Sequence, residues 1–161
     1  MSKVLVTGGA GFIGSHLVDC LIAAGHKVTI IDNLSTGDRM HVNPDATLHV
    51  NNICDYEAIA PLFKEVETVF HLAADPRLQM SVDNPLNTHA INVGGTLNIL
   101  WAAKQAGVKK VLFASSCTVY GDCTTIPFTE EDLGNPVSPY GLHKLIGEQY
   151  MRLFATLFGL P

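Results

Sequence analysis

The chain has 161 residues, of which 47% are hydrophobic and 16% charged, and a formal net charge of −5. That length suits one domain with a sizeable core and excludes two ordinary ones, while the acidic balance argues against a nucleic-acid surface; Lys109-Lys110 is the one basic pair that stands out. The chain opens with no charged and apolar leader and contains no apolar run of about 18 residues, so neither export nor a membrane partner is expected and a cytoplasmic location follows by default.

The first stretch, Lys3 to Ala24, is a β-branched apolar run that breaks into Gly8-Gly9-Ala10-Gly11 and resumes with helical spacing. It predicts a strand, a tight glycine turn and a helix ended by Gly25. Phe12, Ile13, Leu17, Val18, Leu21 and Ile22 recur at three- and four-residue intervals and predict a helix face packed on the sheet. Gly8, Gly11 and Gly14 stand where missing Cβ atoms let the backbone turn sharply, approach a pyrophosphate and seat the helix on the strand. The helix N-terminus then aims free N–H groups at an anion. A glycine turn alone serves equally well as a plain corner.

A second strand, Lys27 to Ile31, ends in Asp32, 18 residues past Gly14, where a carboxylate can accept both hydroxyls of an adenosine ribose. The same carboxylate repels a 2′-phosphate, which favours NAD over NADP; Arg39, close by in sequence, keeps NADP open. Further strands are predicted at Thr47 to Val50, Thr68 to Leu72 and Lys110 to Ala114. Asp55 is the expected N-cap of a helix from Tyr56 to Lys64 with Ala58, Ile59 and Leu62 inward, and a longer helix runs from about Leu86 to Gln105, ended by Gly107. The alternation specifies an α/β fold, a doubly wound parallel sheet of five strands in order 3-2-1-4-5 with helices on both faces and a switch point between the first and fourth strands.

Tyr120 to Pro139 reads as an ordered surface loop in which Glu130, Glu131 and Asp132 are solvated. Cys20, Cys54, Cys117 and Cys123 lack metal spacing and are expected as reduced thiols; His16 and Cys20, one turn apart, read as a helix side chain beside a buried thiol, and no metal is expected. Ser138 and Pro139 start the last helix, as cap and first-turn residue. That helix puts Tyr140 and Lys144 on one face. A phenol ordinarily ionises near pH ~10, so a tyrosine acting as a base needs a positive neighbour, which Lys144 can supply. Ser115 and Ser116 follow the fifth strand, where such a fold collects ligand contacts; Ser116 can hold the oxygen whose proton Tyr140 removes.

TGGAGFIGSHL (Thr7 to Leu17), DNLSTG (Asp32 to Gly37), HLAA (His71 to Ala74), NVGGT (Asn92 to Thr96), FASSCTVYG (Phe113 to Gly121) and SPYGLHK (Ser138 to Lys144) together resemble the extended short-chain dehydrogenase/reductase family, and within it the nucleotide-sugar 4-epimerases of the UDP-glucose (galactose) type. The resemblance covers the whole chain. It implies a Rossmann domain over residues 1–161 in which Gly8, Gly11, Phe12 and Ile13 cradle the NAD pyrophosphate, Asp32 and Asn33 hold the adenine ribose, Asn52 and Ile53 border the adenine, Ala73 and Ala74 line the cleft, and Asn92 orders the site. Ser116, Tyr140 and Lys144 match the family triad: Tyr140 exchanges a proton with the sugar 4-hydroxyl, Lys144 also holds the nicotinamide ribose, Ser116 holds the reacting oxygen, and the 4-keto sugar turns over between oxidation and reduction. The implied partner is a UDP-hexose.

Three departures qualify that reading. Related dehydratases carry an acidic pair after the triad Ser/Thr, where this chain has Cys117 and Thr118, so dehydration lacks its acid and base. Asn52 stands where relatives carry an Asp that binds the adenine amine; its amide oxygen can still accept that bond. Members are also about twice this length, and the lobe that grips the sugar is expected to be missing; the fifth strand then becomes an edge that invites a homodimer. Two alternatives to turnover follow, a dinucleotide-binding module and an interaction protein using that edge.

Overall fold

Five short runs rich in Val, Ile, Leu and Phe form the strands β1 (Lys3–Thr7), β2 (Lys27–Asp32), β3 (Thr47–Val50), β4 (Thr68–His71) and β5 (Lys110–Phe113) in a computed structural model that describes residues 1–122, 127–132 and 134–161. All pairs are parallel and the order is β3-β2-β1-β4-β5, as expected. Alternate residues of the central strands feed two cores, so both faces are apolar. On one face Leu5, Ile31, Val69 and Val111 pack with Ile59, Phe63, Ile99, Leu100 and Phe154. On the other, Val4, Val6, Val28 and Ile30 pack with Val18 and the partly buried Leu17, Leu21 and Ile22. Each such side chain stabilises the fold by about 1.5–3 kcal/mol relative to exposure.

The helices are α1 (Phe12–Ala23), α2 (Tyr56–Ile59), α3 (Leu78–Asp83), α4 (Pro85–His89), α5 (Thr96–Ala106) and α6 (Pro139–Phe158). None of them is long and apolar enough to cross a membrane, among the described residues. Asp55 caps α2 by accepting from Ala58 N at 3.2 Å. That helix is shorter than predicted: Pro61 cannot donate the next helical bond, and the chain tightens into a 3₁₀ turn, Ala60–Phe63, which buries Phe63 more deeply than Leu62. The helix predicted from Leu86 to Gln105 is interrupted by a π-helical segment, Ala90–Gly95, between α4 and α5. Helix α3 lies between Pro76 and Pro85, too short for a periodic signal.

In α1 the predicted apolar face is only partly right. Phe12 and Ile13 are 80% and 69% exposed, and the inner face is made by Gly14, Ser15 and Val18. Cys20 is exposed, against the expectation of a buried thiol, and His16 donates its Nδ1–H to Phe12 O (2.8 Å) within its own helix. Cys54 and Cys117 are free as well, whereas Cys123 lies outside the described residues, as do positions 123–126 and 133 of the predicted 120–139 loop. Glu130 and Glu131 are exposed, and Asp132 accepts from Thr129 N (2.6 Å). The edge beyond β5 is not wholly open: Val111 N donates to Pro161 O (2.8 Å), and Leu160 is buried.

The carboxyl ends of β1 and β4 are tied by a buried chain of hydrogen bonds. Thr7 Oγ1 accepts from Leu72 N (3.2 Å) and Ala73 N (3.1 Å), so its proton goes to His71 Nδ1, 2.7 Å away. His71 therefore carries its hydrogen on Nε2 and donates to Thr96 Oγ1 (2.9 Å), which donates to Asn92 O (2.7 Å) in the π-helical segment. Burial, with the Lys144 charge as a lesser cause, pulls His71 down to about 3. Between that value and the ordinary 6.5 the unfolded chain binds a proton that the folded chain refuses, so stability falls as pH drops through the window. We expect His71→Leu to lose about 1–3 kcal/mol for each hydroxyl left unpartnered and to flatten this part of the profile. Urea denaturation of both proteins at pH 4 and pH 7 checks this; an unchanged pH dependence would refute the assigned burial cost.

Candidate active site

A cavity of about 600 Å³ opens at the carboxyl ends of the strands, beside the point where the chain order reverses. Gly8, Gly11, Phe12, Ile13 and Gly14 form one wall, Asp32 and Asn33 one end, and Tyr140 and Lys144 the other. Gly8 holds φ +73°, and a Cβ there would stand 2.8 Å from Ala73 N, so only glycine lets the turn pass this close to the segment after β4. The first backbone bond of α1 is Ser15 N to Gly11 O (2.9 Å), and no side chain caps this end among the described residues. The preceding N–H groups thus border the cavity without helical partners.

Asp32 is buried, and its carboxylate accepts from Ala10 N (3.0 Å) and Leu34 N (2.8 Å), which leaves acceptor positions for hydroxyls in the cavity. Leu34 holds φ 57°, a left-handed conformation that costs a leucine about 1–2 kcal/mol and is tied to Asp32 by that bond. Asn33, exposed, accepts from Ser35 N (3.0 Å). Asn52 Oδ1 is engaged by Cys54 N (3.0 Å), while Ile53 is buried beside it; both line the cavity. Ala73 and Ala74 line it beside the glycine turn.

At the other end, Ser138 Oγ accepts from Gly141 N (3.1 Å) to cap α6, with Pro139 in the first turn. A Cβ on Gly141 would come 2.6 Å from Thr118 O. That close approach sets the start of α6 against the 3₁₀ turn Cys117–Val119, beside Ser116. Tyr140 N donates to Ser81 Oγ (3.1 Å), so α3 also fixes this helix end. Burial pushes the Tyr140 phenol up, a hydrogen bond with Ser116 acts the other way, and the Cys117 thiol adds to the rise. Ser116 Oγ itself accepts from Thr118 Oγ1 (2.9 Å). Lys144, buried, donates from Nζ to Ala114 O (2.8 Å), with Nζ 4.8 Å from the Phe113 ring centre and 5.8 Å from that of Tyr140. An ammonium has three donors, so one protein bond leaves it free to bind further.

The sequence matches the family described as NAD dependent epimerase/dehydratase over residues 4–161. The chain belongs to that family. It is 45% identical over 159 residues to a putative UDP-glucose 4-epimerase of Methanocaldococcus jannaschii, covering 98% of this chain and 52% of the relative. Among solved structures it is similar to a UDP-glucose 4-epimerase of Thermotoga maritima with UDP-glucose (TM-score 0.95, 40% identity, 98% of this chain and 52% of that one). It is also similar to a UDP-glucose 4-epimerase of Thermus thermophilus complexed with NAD (TM-score 0.93, 38% identity, 98% and 52%). The chain thus spans about half the length of the relatives it matches.

Of the residues singled out in the sequence, the structure brings Gly8, Gly11, Phe12, Ile13, Asp32, Asn33, Asn52, Ile53, Ala73, Ala74, Tyr140 and Lys144 to the walls of this cavity. Ser116 and Asn92 stand just behind them. Ser115 takes the wall position, its hydroxyl turned to Glu148, while the Ser116 hydroxyl is engaged by Thr118. Asn92 is buried and grips the Asp75 backbone from both sides, accepting from Asp75 N (2.8 Å) and donating to Asp75 O (3.0 Å). Sequence reasoning misses Ser81, Asp75 and Arg77. The only signal for the latter two is a pair of opposite charges just after a strand at the switch point.

Burial lowers Lys144 to about 8. Between 8 and the ordinary 10.5 the unfolded chain holds a proton that the folded one has lost, so this group makes stability rise with pH through that window. We expect a lysine-selective NMR titration to show one side-chain signal with a midpoint near 8, absent in Lys144→Met. A Lys144 signal that titrates with the surface lysines would contradict the buried geometry.

Proposed function

We propose that this chain binds NAD in the cavity and carries the catalytic groups of a UDP-hexose 4-epimerase. The observation that supports this reading best is the span of one cavity from a preset ribose-type acceptor, Asp32, to Tyr140 and Lys144. The residues present fit the dinucleotide: N–H groups of the α1 start for the pyrophosphate, Asp32 and Asn33 for the adenine ribose, Asn52 and Ile53 beside the adenine, Ala73 and Ala74 along the cleft, and Lys144 for the second ribose. Arg39 lies in an exposed 3₁₀ turn, Arg39–His41, and is not on the cavity wall, which favours NAD over NADP.

NAD⁺, when bound, supplies the oxidation of the sugar at C4 and its reversal. The chain handles the proton. Tyr140 takes it from the 4-hydroxyl and returns it, Ser116 holds the reacting oxygen, and Lys144, its Nζ 5.8 Å from the Tyr140 ring centre, favours the phenolate by its charge. Cys117 and Thr118 provide no acid and base pair for elimination of water, since the Thr118 hydroxyl is engaged with Ser116. A second reading is a dinucleotide-binding module that does not turn over by itself. A homodimer and a cytoplasmic location belong to the proposal as well.

Calorimetric titration of the chain with NAD⁺ and NADP⁺, then UDP-glucose on the NAD-saturated protein, separates these readings. We expect NAD⁺ to bind roughly tenfold or more tightly than NADP⁺ because Asp32 faces the 2′ position. Tyr140→Phe should leave NAD⁺ affinity within about threefold and lower any epimerisation by about 10²–10⁴-fold. Retained turnover in that variant would remove the phenol from its role, and failure of both cofactors to bind would refute the cofactor site.

A further inference from the structure

Arg77 borders the same cavity, and the cofactor reading above does not use it. Its side chain is 56% exposed, yet its position is fixed: Nε donates to Asp75 Oδ1 (2.9 Å) and Nη2 to Asp75 Oδ2 (2.7 Å), a two-point clamp on a carboxylate that is only 4% exposed. Arg77 N also donates to Asp75 Oδ1 (3.2 Å). The clamp is anchored in turn, because Asn92 holds the Asp75 N–H and carbonyl. Arg77 holds Asp75 well below the usual carboxylate range through these bonds. A guanidinium has five N–H donors, and the clamp engages one on Nε and one on Nη2. The others have no protein partner among the described residues. They belong to a planar, permanently charged group on the cavity wall, four residues beyond Ala73, which itself abuts Gly8.

A surface arginine at a protein's rim normally costs rotamer entropy to order. Here a buried carboxylate and a buried amide have done that ordering, and the free edge of the fork suits two oxygens of a phosphate. We propose that Asp75 and Arg77 form a preset cation for a diphosphate in this cavity, that of the bound dinucleotide, acting across the cleft from the N–H groups at the start of α1. The inference rests on the cofactor reading above. The dinucleotide is favoured over a nucleotide-sugar diphosphate because the segment carrying Arg77 packs against the glycine turn.

The test titrates wild type, Arg77→Gln and the double variant Asp75→Asn/Arg77→Gln with NAD⁺, ADP-ribose and adenosine, and then the NAD-saturated proteins with UDP-glucose. The double variant leaves no unpaired buried carboxylate, and thermal melts establish that each variant folds. Expected is a roughly tenfold to hundredfold loss of affinity for NAD⁺ and ADP-ribose in both variants, a shallower salt dependence, and adenosine affinity within about twofold of wild type. Unchanged NAD⁺ affinity in folded variants would overturn the inference while leaving the cofactor site intact. A loss confined to UDP-glucose would overturn it too, by assigning Arg77 to the sugar diphosphate. A wild-type chain that binds no NAD⁺ would overturn both readings at once.

Discussion

The hydrogen bond between Thr7 and His71 is the constraint on which the site depends. β1 and β4 are neighbours in the sheet, and Thr7 is the last residue of one as His71 is of the other. Because the Thr7 hydroxyl already accepts two backbone N–H groups from the segment after β4, its proton has one destination, and the imidazole has one tautomer. From there the chain of bonds runs to Thr96 and into the π-helical segment, whose Asn92 returns to Asp75. Two strands, a helix break and a loop are thereby locked in one register. The wider π turn is common at functional positions, and here it sets Asn92 at the Asp75 backbone while Ile91, its neighbour, reaches the cavity.

The fold was largely legible in the sequence because its signals are local. Val, Ile and Leu in runs of four to six residues, separated by helical spacing, give strand identity and parallel order without knowledge of partners. The glycine turn was legible for the same reason, as were the caps Asp55 and Ser138. What was not legible depends on contacts made elsewhere. The interruption of the long helix follows from what Asn92 binds, and nothing in the spacing of Leu86 to Gln105 reports it. Phe12 and Ile13 fit an amphipathic pattern, but they sit in the first turn, where the helix end meets the cavity rather than the sheet. Ser116 was placed by its neighbours in sequence, yet the wall position belongs to Ser115, since a strand end alternates its side chains and the 3₁₀ turn then redirects the next one. Asp75, Arg77 and Ser81 became visible only when α3 and the segment before it were placed against α6.

The polar groups of the cavity share one property, which is that each is oriented by the protein before any ligand arrives. Asp32 is held by two backbone N–H groups, Lys144 by the Ala114 carbonyl, Tyr140 through its backbone N–H by Ser81, and Arg77 by Asp75. The two carboxylates and the two cations on this wall balance in formal charge, and only Asp75 and Arg77 neutralise each other directly. Asp32 and Lys144 stand at opposite ends, each with a desolvated charge and unused hydrogen-bonding capacity. That arrangement favours a long, polar ligand with hydroxyl groups toward both ends and an anionic centre, because such a ligand satisfies both ends while its charge meets the N–H groups of α1 between them. A small anion would meet only the centre and leave Asp32 unpaired. Burial acts on both groups at that end: it depresses Lys144 to about 8 and raises the Tyr140 phenol, so each holds its neutral form more readily than it would in water.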